Sequence, residues 1–563
     1  MNYMFALLLL LPACSAHVFP SEQCRVRARI ESGTVCGVER LADGDVKYAS
    51  FRGVPYAKQP LGELRFKELE PAEKWDYYYA TDEGPVCYQH DVLYGRLMQP
   101  QGMSESCIHA NIHVPMDALP TEHPDVTLPG LPILVFIHGG GFAFGSGDAD
   151  LHGPEYLVSK NVIVITFNYR LNVFGFLSLN TTEVPGNGGL RDQVTLLRWV
   201  QRNARAFGGD PKDVTLAGQS AGAAAAHILT LSKATEGLFR RAILMSGTAS
   251  SSFFSTSPAY AQHINNIYLQ LLGITSTDPE DIHRQLINLP AEKLHDANTK
   301  LIDMLGLVTF GPIVESPLPG VTTIIDDDPD ILLSKGRGKN IPLIIGYTNA
   351  ECETFRNRFE TFDLVKKIAS QHFLVVPPKL LFTTPPQLWA NLATRMLGRY
   401  SNGRINLDGF VKSCTEGFYE YPALKLAQKR AEVGGAPVFL YLFTFESPTS
   451  IIKEIAGANY RGAAHIEDLT YVFKANSVLG GREAPAQSLE DLRMKNFMTD
   501  LFVQFMSCSK PICDDKRSIW PENNGSQIEV IEAPGVLRAN SRSTSQLDVL
   551  DFFDSLHNKV NVM

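Results

Sequence analysis

The residues with the clearest chemical potential are Gly218-Gln219-Ser220-Ala221-Gly222, which lie between an apolar run and a run of small residues. This order predicts a buried strand, a sharp turn with Ser220 at its apex, and a helix. Glycines two residues before and after the serine fit a strained turn that holds the hydroxyl out over the sheet edge, where the new helix points its free N–H groups. We therefore predict that Ser220 is a nucleophile. A glycine-rich loop is the alternative, since a chain with 44 Gly produces this pentad by chance about 0.2 times.

A second candidate is His138-Gly139-Gly140-Gly141-Phe142, which directly follows the apolar run 132–137. Three glycines at the end of a strand let the backbone approach a ligand and direct N–H groups at it. Ester hydrolysis passes through a tetrahedral oxyanion, and each backbone donor aimed at that oxygen is worth about 3 kcal/mol. The segment therefore predicts an oxyanion hole. A simple glycine-rich turn is the alternative, and the Ser220 turn downstream argues against it.

The acid and the base that a serine nucleophile needs are predicted in loops after two later strands. Glu351 and Glu353 both follow the apolar run 342–346, and their spacing leaves open which one orients a histidine. His465 is selected from 14 His by its small neighbours and by the chain order serine, acid, histidine. An imidazole with no catalytic role is the alternative for His465.

Strands that alternate with helices must position these residues. Continuous apolar runs predict strands buried on both faces, at 132–137, 162–168, 214–217, 242–247, 342–346 and 438–443. A helix is predicted over 193–206, with Asp192 as its N-cap and not as a catalytic acid. We therefore predict an α/β fold with a parallel sheet and the chemistry at the carboxyl ends of its strands. Arg65 is expected to be held by a carboxylate and to fix a loop.

The composition is that of a large globular chain with enough apolar residues for a deep pocket. The 563 residues carry a net charge of −9 without a basic block, which disfavours nucleic acid and acidic membrane surfaces as partners. Residues 1–16 predict a secretory signal peptide, with a short apolar core before small residues, although the segment lacks Lys and Arg. No interdomain linker is visible, so 17–563 is expected to form a single domain.

Eight cysteines remain once the signal segment is removed, and an even number in a secreted chain permits disulfides. If bridged, Cys87 and Cys107 would close a surface loop and contribute about 3 kcal/mol. No pair or cluster has the spacing of a zinc site, and we expect neither a metal nor a cofactor. Asn180 and Asn524 each begin an N-glycosylation tripeptide.

Taken together, the motifs resemble the carboxylesterase branch of the α/β-hydrolase fold over nearly the whole mature chain. Within that branch the sequence is similar to the juvenile hormone esterases of insects, especially moths. One reason is that Gln219 stands where general carboxylesterases usually have Glu. The segments that carry the resemblance are 51–56, Cys87 and Cys107, 105–111, 138–142, 168–171, 186–189, 218–222, 350–355 and 462–468.

The resemblance implies a large, mostly parallel sheet with helices on both faces and a small N-terminal antiparallel sheet. It implies Glu351 as the triad acid beside Ser220 and His465. It also implies a Cys87–Cys107 disulfide and oxyanion donors at Gly140, Gly141 and Ala221. The implied reaction is hydrolysis of the methyl ester of juvenile hormone, a sesquiterpenoid, by a secreted monomer in the haemolymph. A second loop disulfide of the family has no counterpart, because residues 250–350 contain no Cys.

Three other functions compete with this one. A broad or odorant-degrading carboxylesterase would differ only in its acyl-chain preference. A cholinesterase is disfavoured, because its quaternary ammonium ligand requires a Trp face and residues 87–107 contain no Trp. A non-catalytic adhesion module of the same fold should lack a triad residue and carry a membrane anchor.

Overall fold

A computed structural model of the chain describes residues 24–91, 102–120, 130–254, 257–306, 309–457, 459–476, 486–514 and 520–558. The signal peptide predicted at 1–16 lies outside the described residues. The strands are β1 (Val26–Ile30), β2 (Gly33–Leu41), β3 (Lys47–Pro55), β4 (Tyr77–Tyr79), β5 (His109–Pro115), β6 (Leu131–Ile137), β7 (Ile163–Phe167), β8 (Gly209–Gln219), β9 (Arg241–Met245), β10 (Leu343–Thr348), β11 (Val438–Phe443), β12 (Gln527–Ala533) and β13 (Val536–Ser541).

Helices fill most of the chain between these strands. The α-helices are α1 (Glu155–Val158), α2 (Asn172–Phe176), α3 (Gly188–Asn203), α4 (Ala221–Leu231), α5 (Pro258–Leu271), α6 (Pro279–Asn288), α7 (Ala291–Leu305), α8 (Pro329–Ser334), α9 (Arg356–Thr361), α10 (Leu364–Ser370), α11 (Pro378–Thr383), α12 (Trp389–Ser401), α13 (Leu407–Cys414), α14 (Tyr421–Val433), α15 (Ile451–Ala456), α16 (Leu489–Cys508) and α17 (Thr544–Asn558). Short 3₁₀ helices lie at Asp43–Asp45, Gly62–Leu64, Met116–Ala118, Ala204–Phe207, Lys233–Thr235, Glu351–Phe355, His372–Val375, Pro386–Leu388 and Glu467–Tyr471, and a π-helix lies at Thr415–Glu420.

One large sheet organises the molecule. Its strand order is β1-β2-β3-β5-β7-β6-β8-β9-β10-β11-β12-β13, with β4 paired to β2. All neighbours from β7 to β12 are parallel. The strands outside this block add antiparallel pairs at both edges, and β2 joins the N-terminal antiparallel strands to the rest. The predicted α/β fold with a mostly parallel sheet is confirmed.

Both faces of the central sheet are buried, as the continuous apolar runs predict. In β6, Ile133, Val135 and Ile137 belong to one core cluster, while Leu134 and Phe136 belong to another. This alternation follows from the period of two in a strand, which sends successive side chains to opposite faces. Helices therefore cover the sheet on both sides, and its carboxyl ends are left for the loops that carry the candidate catalytic residues.

The prediction that Asp192 caps a helix is wrong. Helix α3 begins at Gly188, after Asn187 in a left-handed conformation with φ of 48°, so Asp192 lies inside the helix. Its carboxylate is fully buried and accepts hydrogen bonds from the guanidinium of Arg170, at 2.6 and 2.9 Å. A buried cation is stable only beside an opposite charge. Asp192 therefore lies inside the helix as the partner of the buried Arg170.

The prediction for Arg65 is confirmed. Its guanidinium donates to both carboxylate oxygens of Glu105, at 2.6 and 2.7 Å. It also donates to the carbonyls of Leu286 and Leu289, at 2.9 and 2.8 Å. Arg65 thus ties an N-terminal loop to the end of α6.

All eight cysteines of the described chain are paired. The disulfides are Cys24–Cys36, Cys87–Cys107, Cys352–Cys414 and Cys508–Cys513. Cys352–Cys414 is the bond nearest to the candidate acid, because Cys352 directly follows Glu351. It connects the loop after β10 to α13 in the helical region, which comprises residues 258–334 and 356–420.

Candidate active site

Ser220 occupies the turn between β8 and α4, as the sequence predicts. Its φ of 59° and ψ of −126° are a strained conformation for a residue with a side chain. The Ser220 N–H donates to the carbonyl of Met245 on β9, at 2.8 Å, which holds the turn. A Cβ atom at Gly222 would lie 2.0 Å from the carbonyl oxygen of Ile137, so this side of the turn requires glycine. The surrounding sheet offsets the free-energy cost of this strained backbone. The turn keeps Ser220 above the edge of the sheet.

The glycine loop after β6 runs beside Ser220. Gly140 and Gly141 have φ of 102° and 63°, which favour glycine. A Cβ atom at Gly140 would lie 2.1 Å from the carbonyl oxygen of Phe144. None of the N–H groups of Gly140, Gly141 and Ala221 donates to another described residue. Gly140 and Gly141 line the same pocket as Ser220, where unpaired donors can receive a developing negative charge.

Glu351 and His465 form a buried pair behind the pocket. His465 Nδ1 lies 2.5 Å from Glu351 Oε2, and the two side chains are 2% and 0% exposed. The other oxygen of Glu351 accepts from the Thr348 N–H at 2.8 Å. Glu353, the competing acid, instead accepts hydrogen bonds from Arg356 at 2.7 and 3.0 Å. Of the two carboxylates, the structure brings only Glu351 to the histidine.

The other ring nitrogen of His465 contacts Gln219, the residue directly before the serine. Nε2 of Gln219 lies 3.1 Å from Nε2 of His465. Because the Nδ1–H of the imidazole donates to Glu351, Nε2 is the acceptor, and the Gln219 amide donates to it. The glutamine thus holds the tautomer that can take a proton at Nε2. His465 and Ser220 line one pocket, so the nitrogen held by Gln219 is the one available to the serine.

A second carboxyl group, which the sequence analysis did not single out, lies behind the pair. Asp468 is fully buried, and its Oδ2 accepts from the hydroxyl of Tyr441 at 2.7 Å. Burial, with a smaller contribution from the negative charge of Glu351, raises the pKa of Asp468 to about 7. The Tyr441 ring reaches this position because Gly346 on β10 leaves space, since a Cβ atom there would lie 1.8 Å from the ring. Below pH 7 the carboxyl of Asp468 is therefore mostly protonated and uncharged.

Two further histidines line the pocket. Burial lowers the pKa of His138 to about 4. Burial and the neighbouring His138 lower the pKa of His152 to about 3. Both imidazoles are therefore neutral above pH 5. Neither is paired to a described carboxylate, so His465 is the histidine with the geometry of a general base.

The pocket at Ser220 is narrow and its wall is largely apolar. Its volume is about 30 Å³. The apolar side chains of the wall are Phe144, Leu151, Phe253, Phe355, Ile466 and Leu469. Phe355 and Tyr419 also flank the imidazole of His465, with ring centroids 5.3 and 4.9 Å away. This wall suits an ester with an apolar acyl group.

The remaining predicted residues lie away from the pocket floor. The Sγ atoms of Cys87 and Cys107 are 2.04 Å apart, which closes the predicted loop. Asn180 and Asn524 are both exposed. Among the described residues no group of His, Cys, Asp and Glu has the composition of a metal site, and no helix is both long and apolar enough to cross a bilayer.

Comparison with known proteins places these features in a family. A family model described as the carboxylesterase family matches residues 25–545. A juvenile hormone esterase from Heliothis virescens is 63% identical over 98% of each chain. One from Tribolium castaneum is 30% identical over 85% of this chain and 83% of its own. The crystal structure of juvenile hormone esterase from Manduca sexta, with OTFP covalently attached, superposes with a TM-score of 0.90 and 58% identity, over 95% of this chain and 99% of that chain.

Proposed function

This chain belongs to the carboxylesterase family, and from that premise we propose that it hydrolyses the methyl ester of juvenile hormone to the free acid and methanol. Ser220 is the nucleophile, His465 the general base and Glu351 the acid of the triad. The observation that carries this mechanism is the short Nδ1–Oε2 contact behind His465, in the pocket that also holds Ser220 and the glycine loop. The substrate is taken from the relatives, which are named for juvenile hormone.

The first half of the reaction forms an acyl-serine. Nε2 of His465 exchanges the Gln219 amide for the Ser220 hydroxyl and takes its proton as Oγ attacks the ester carbonyl. Glu351 stabilises the imidazolium that results. The N–H groups of Gly140, Gly141 and Ala221 receive the oxyanion, each worth about 3 kcal/mol. The imidazolium then gives its proton to the departing methanol.

The second half repeats the cycle with water. His465 takes a proton from water as its oxygen attacks the acyl-serine, and it returns that proton to Ser220 when the free acid leaves. The strained Ser220 backbone and the glycine loop remain in place through both halves. The enzyme therefore needs the same four elements twice, namely β8, the loop after β6, and the loops that carry Glu351 and His465.

The apolar wall supports the proposed substrate class. The carbonyl of juvenile hormone is conjugated, so nucleophilic attack loses resonance energy and increases the demand on the oxyanion donors. The sesquiterpenoid chain is apolar and gains about 25 cal/mol for each Å² removed from water. Phe253 and Phe355 provide such a surface next to Ser220. A short acetate would contact much less of this wall.

We propose in addition that the mature chain, residues 17–563, acts as one secreted domain in the haemolymph and as a monomer. Four disulfides within the described chain are consistent with an oxidising compartment. Asn180 and Asn524 are accessible to glycosylation. Mass spectrometry of the secreted protein would give the first residue, the glycans and the state of the cysteines.

The direct test of function compares kcat/KM for juvenile hormone, a naphthyl acetate and a short aliphatic acetate. We expect a strong preference for the hormone at low substrate concentration. Ser220→Ala should lower kcat for every ester by about 10⁶-fold, because the nucleophile is lost while the fold is kept. Thermal unfolding of the variant is the control for folding.

Other outcomes would revise the proposal in distinct ways. Equal or faster hydrolysis of the acetates, lost in Ser220→Ala, would keep the triad and replace the hormone by general esters. Hydrolysis that survives Ser220→Ala would remove this serine from the mechanism.

A further inference from the structure

A large cavity lies outside the Ser220 pocket, among the helices between α5 and the π-helix at Thr415–Glu420. Its volume is about 700 Å³, which is within the range of pockets that hold small organic ligands. Phe253 lines both this cavity and the Ser220 pocket. The two spaces thus share one aromatic side chain, yet the reaction above assigns no role to the larger one.

The wall of the cavity combines aromatic rings with positive charge. Phe359, Phe410 and Trp389 are among its rings, and Arg358, Lys367 and Lys379 are its cations. No Asp or Glu is among the described lining residues. A positively charged wall is unexpected in a chain that has 60 acidic and 51 basic residues. The wall therefore favours an apolar ligand that carries a negative charge.

Two of these cations lack a close carboxylate. Lys379 lies 2.8 Å from Asp328 and is neutralised. Within the described part of the chain, no carboxylate lies within 4 Å of Lys367, whose Nζ is 3.3 Å from the centre of the Phe362 ring. The carboxylate that approaches Arg358 is Asp303, at 3.8 Å, which is beyond hydrogen-bond distance.

The guanidinium of Arg358 has a free edge. Its Nε and Nη2 atoms are buried and have no hydrogen-bond partner among the described residues. Buried donors without a partner are unfavourable and rare in folded proteins. Nε and Nη2 together form the side of a guanidinium that binds a carboxylate through two parallel N–H···O bonds. A carboxylate at this edge would satisfy both donors at once.

We propose that this cavity binds a long apolar carboxylic acid, with its chain among the aromatic rings and its carboxylate at Arg358 and Lys367. The acid product of the esterase reaction has this chemistry, and that identification rests on the proposed function. A free fatty acid shares it. The methyl ester lacks the charge, so the site distinguishes the acid from its ester.

Trp389 provides a direct probe, because it is the one tryptophan of the described lining. Brominated fatty acids quench tryptophan fluorescence on contact. We expect a dibrominated long-chain acid to quench the fluorescence of the Ser220→Ala protein saturably, and its methyl ester to bind at least about tenfold more weakly, since a bond to a charged group contributes that much. Trp389→Phe should remove the quenching.

Arg358→Met tests the carboxylate contact. It should weaken binding of the acid by about tenfold or more and leave binding of the ester unchanged. Lys366→Met is the control for loss of a nearby positive charge, because Lys366 is exposed, lies next to Lys367 in the sequence and is absent from the lining. Thermal unfolding of Arg358→Met at the same midpoint as the parent protein would confirm its fold.

Three results would overturn the proposal: no quenching, quenching that persists in Trp389→Phe, or equal binding of acid and ester. Displacement of the brominated acid by the acid of juvenile hormone would assign the site to the product. Displacement by unbrominated fatty acid alone would assign it to free fatty acids. Because the binding assay needs no turnover, its failure leaves the esterase activity to be judged by the hormone assay.

Discussion

The carboxyl ends of the strands and the helical region, residues 258–334 and 356–420, have different roles in this molecule. Ser220, Glu351 and His465 follow β8, β10 and β11, which lie within four adjacent parallel strands. Backbone hydrogen bonds fix these strands, and the loops add contacts such as the Ser220 N–H to Met245. The helical region instead encloses a cavity of about 700 Å³ between short helices. The proposed reacting groups thus lie where strand pairing fixes the backbone, whereas the larger space lies between helices.

The strongest test of this contrast is Glu351→Gln. Loss of the charge behind His465 leaves the imidazole with the wrong tautomer and no partner for its protonated form, so we expect kcat to fall by about 10⁴-fold. Steady-state hydrolysis of a naphthyl acetate measures this effect. Glu353→Gln is the control, because Glu353 faces Arg356 and should be nearly neutral for activity. Equal losses in the two variants would contradict the assignment of the acid.

The next effect concerns stability and Asp468. Its folded pKa is raised to about 7 by burial, with a further contribution from Glu351, whereas the unfolded chain has the ordinary value near 4. Between these values the folded state holds a proton that the unfolded state releases, so stability falls as pH rises from about 4 to 7. The loss is at most about 4 kcal/mol.

Asp468→Asn removes this pH dependence, because the amide does not ionise. Between pH 5 and pH 8 the thermal midpoint of the natural protein should fall by about 3 °C more than that of the variant. The same slope with pH in both proteins would show that Asp468 does not titrate in this window. Activity at pH 5, where Asp468 is protonated, should be similar in both proteins.

The smallest predicted effect concerns the contact between Gln219 and His465. Gln219→Glu would place a carboxylate where the amide now lies 3.1 Å from His465 Nε2. The negative charge would stabilise the protonated imidazole, so the acid limb of the kcat/KM profile should move to higher pH, with about tenfold less activity at pH 6. Gln219→Met, which adds no charge, should leave the limb in place. An unshifted profile in Gln219→Glu would show that the residue does not act through His465.

The same contrast explains what could be predicted from the sequence. The parallel strands could be predicted, because strands buried on both faces are continuous apolar runs. The turn at Ser220 could be located because its glycines are required by contacts closer than 3 Å. The start of α3 was missed, since the local capping preference of Asp192 is overridden by a tertiary pair with Arg170.

The helical region gave few such signals. Several of its helices, such as α9, α10 and α11, have only six or seven residues, which is too few to produce a clear period. Sequence spacing could not decide between Glu351 and Glu353, because the two lie only two residues apart. In the folded chain the hydrogen bond from Arg356 determines where Glu353 points. The pairing of Cys352 with Cys414 spans 62 residues, and only the folded chain brings them together.

The chain order of the catalytic strands has a consequence for biosynthesis. Gln219 and His465 are 246 residues apart, so at about 5 to 20 residues per second the ribosome completes the serine turn roughly 12 to 50 s before it adds the histidine. During that interval the nascent chain holds the proposed nucleophile without its proposed base, and for most of it β11 is not yet synthesised. If His465 is the base, an ester hydrolase built in this order lacks most of its activity while it is translated, and so does any chain that stops before the His465 loop.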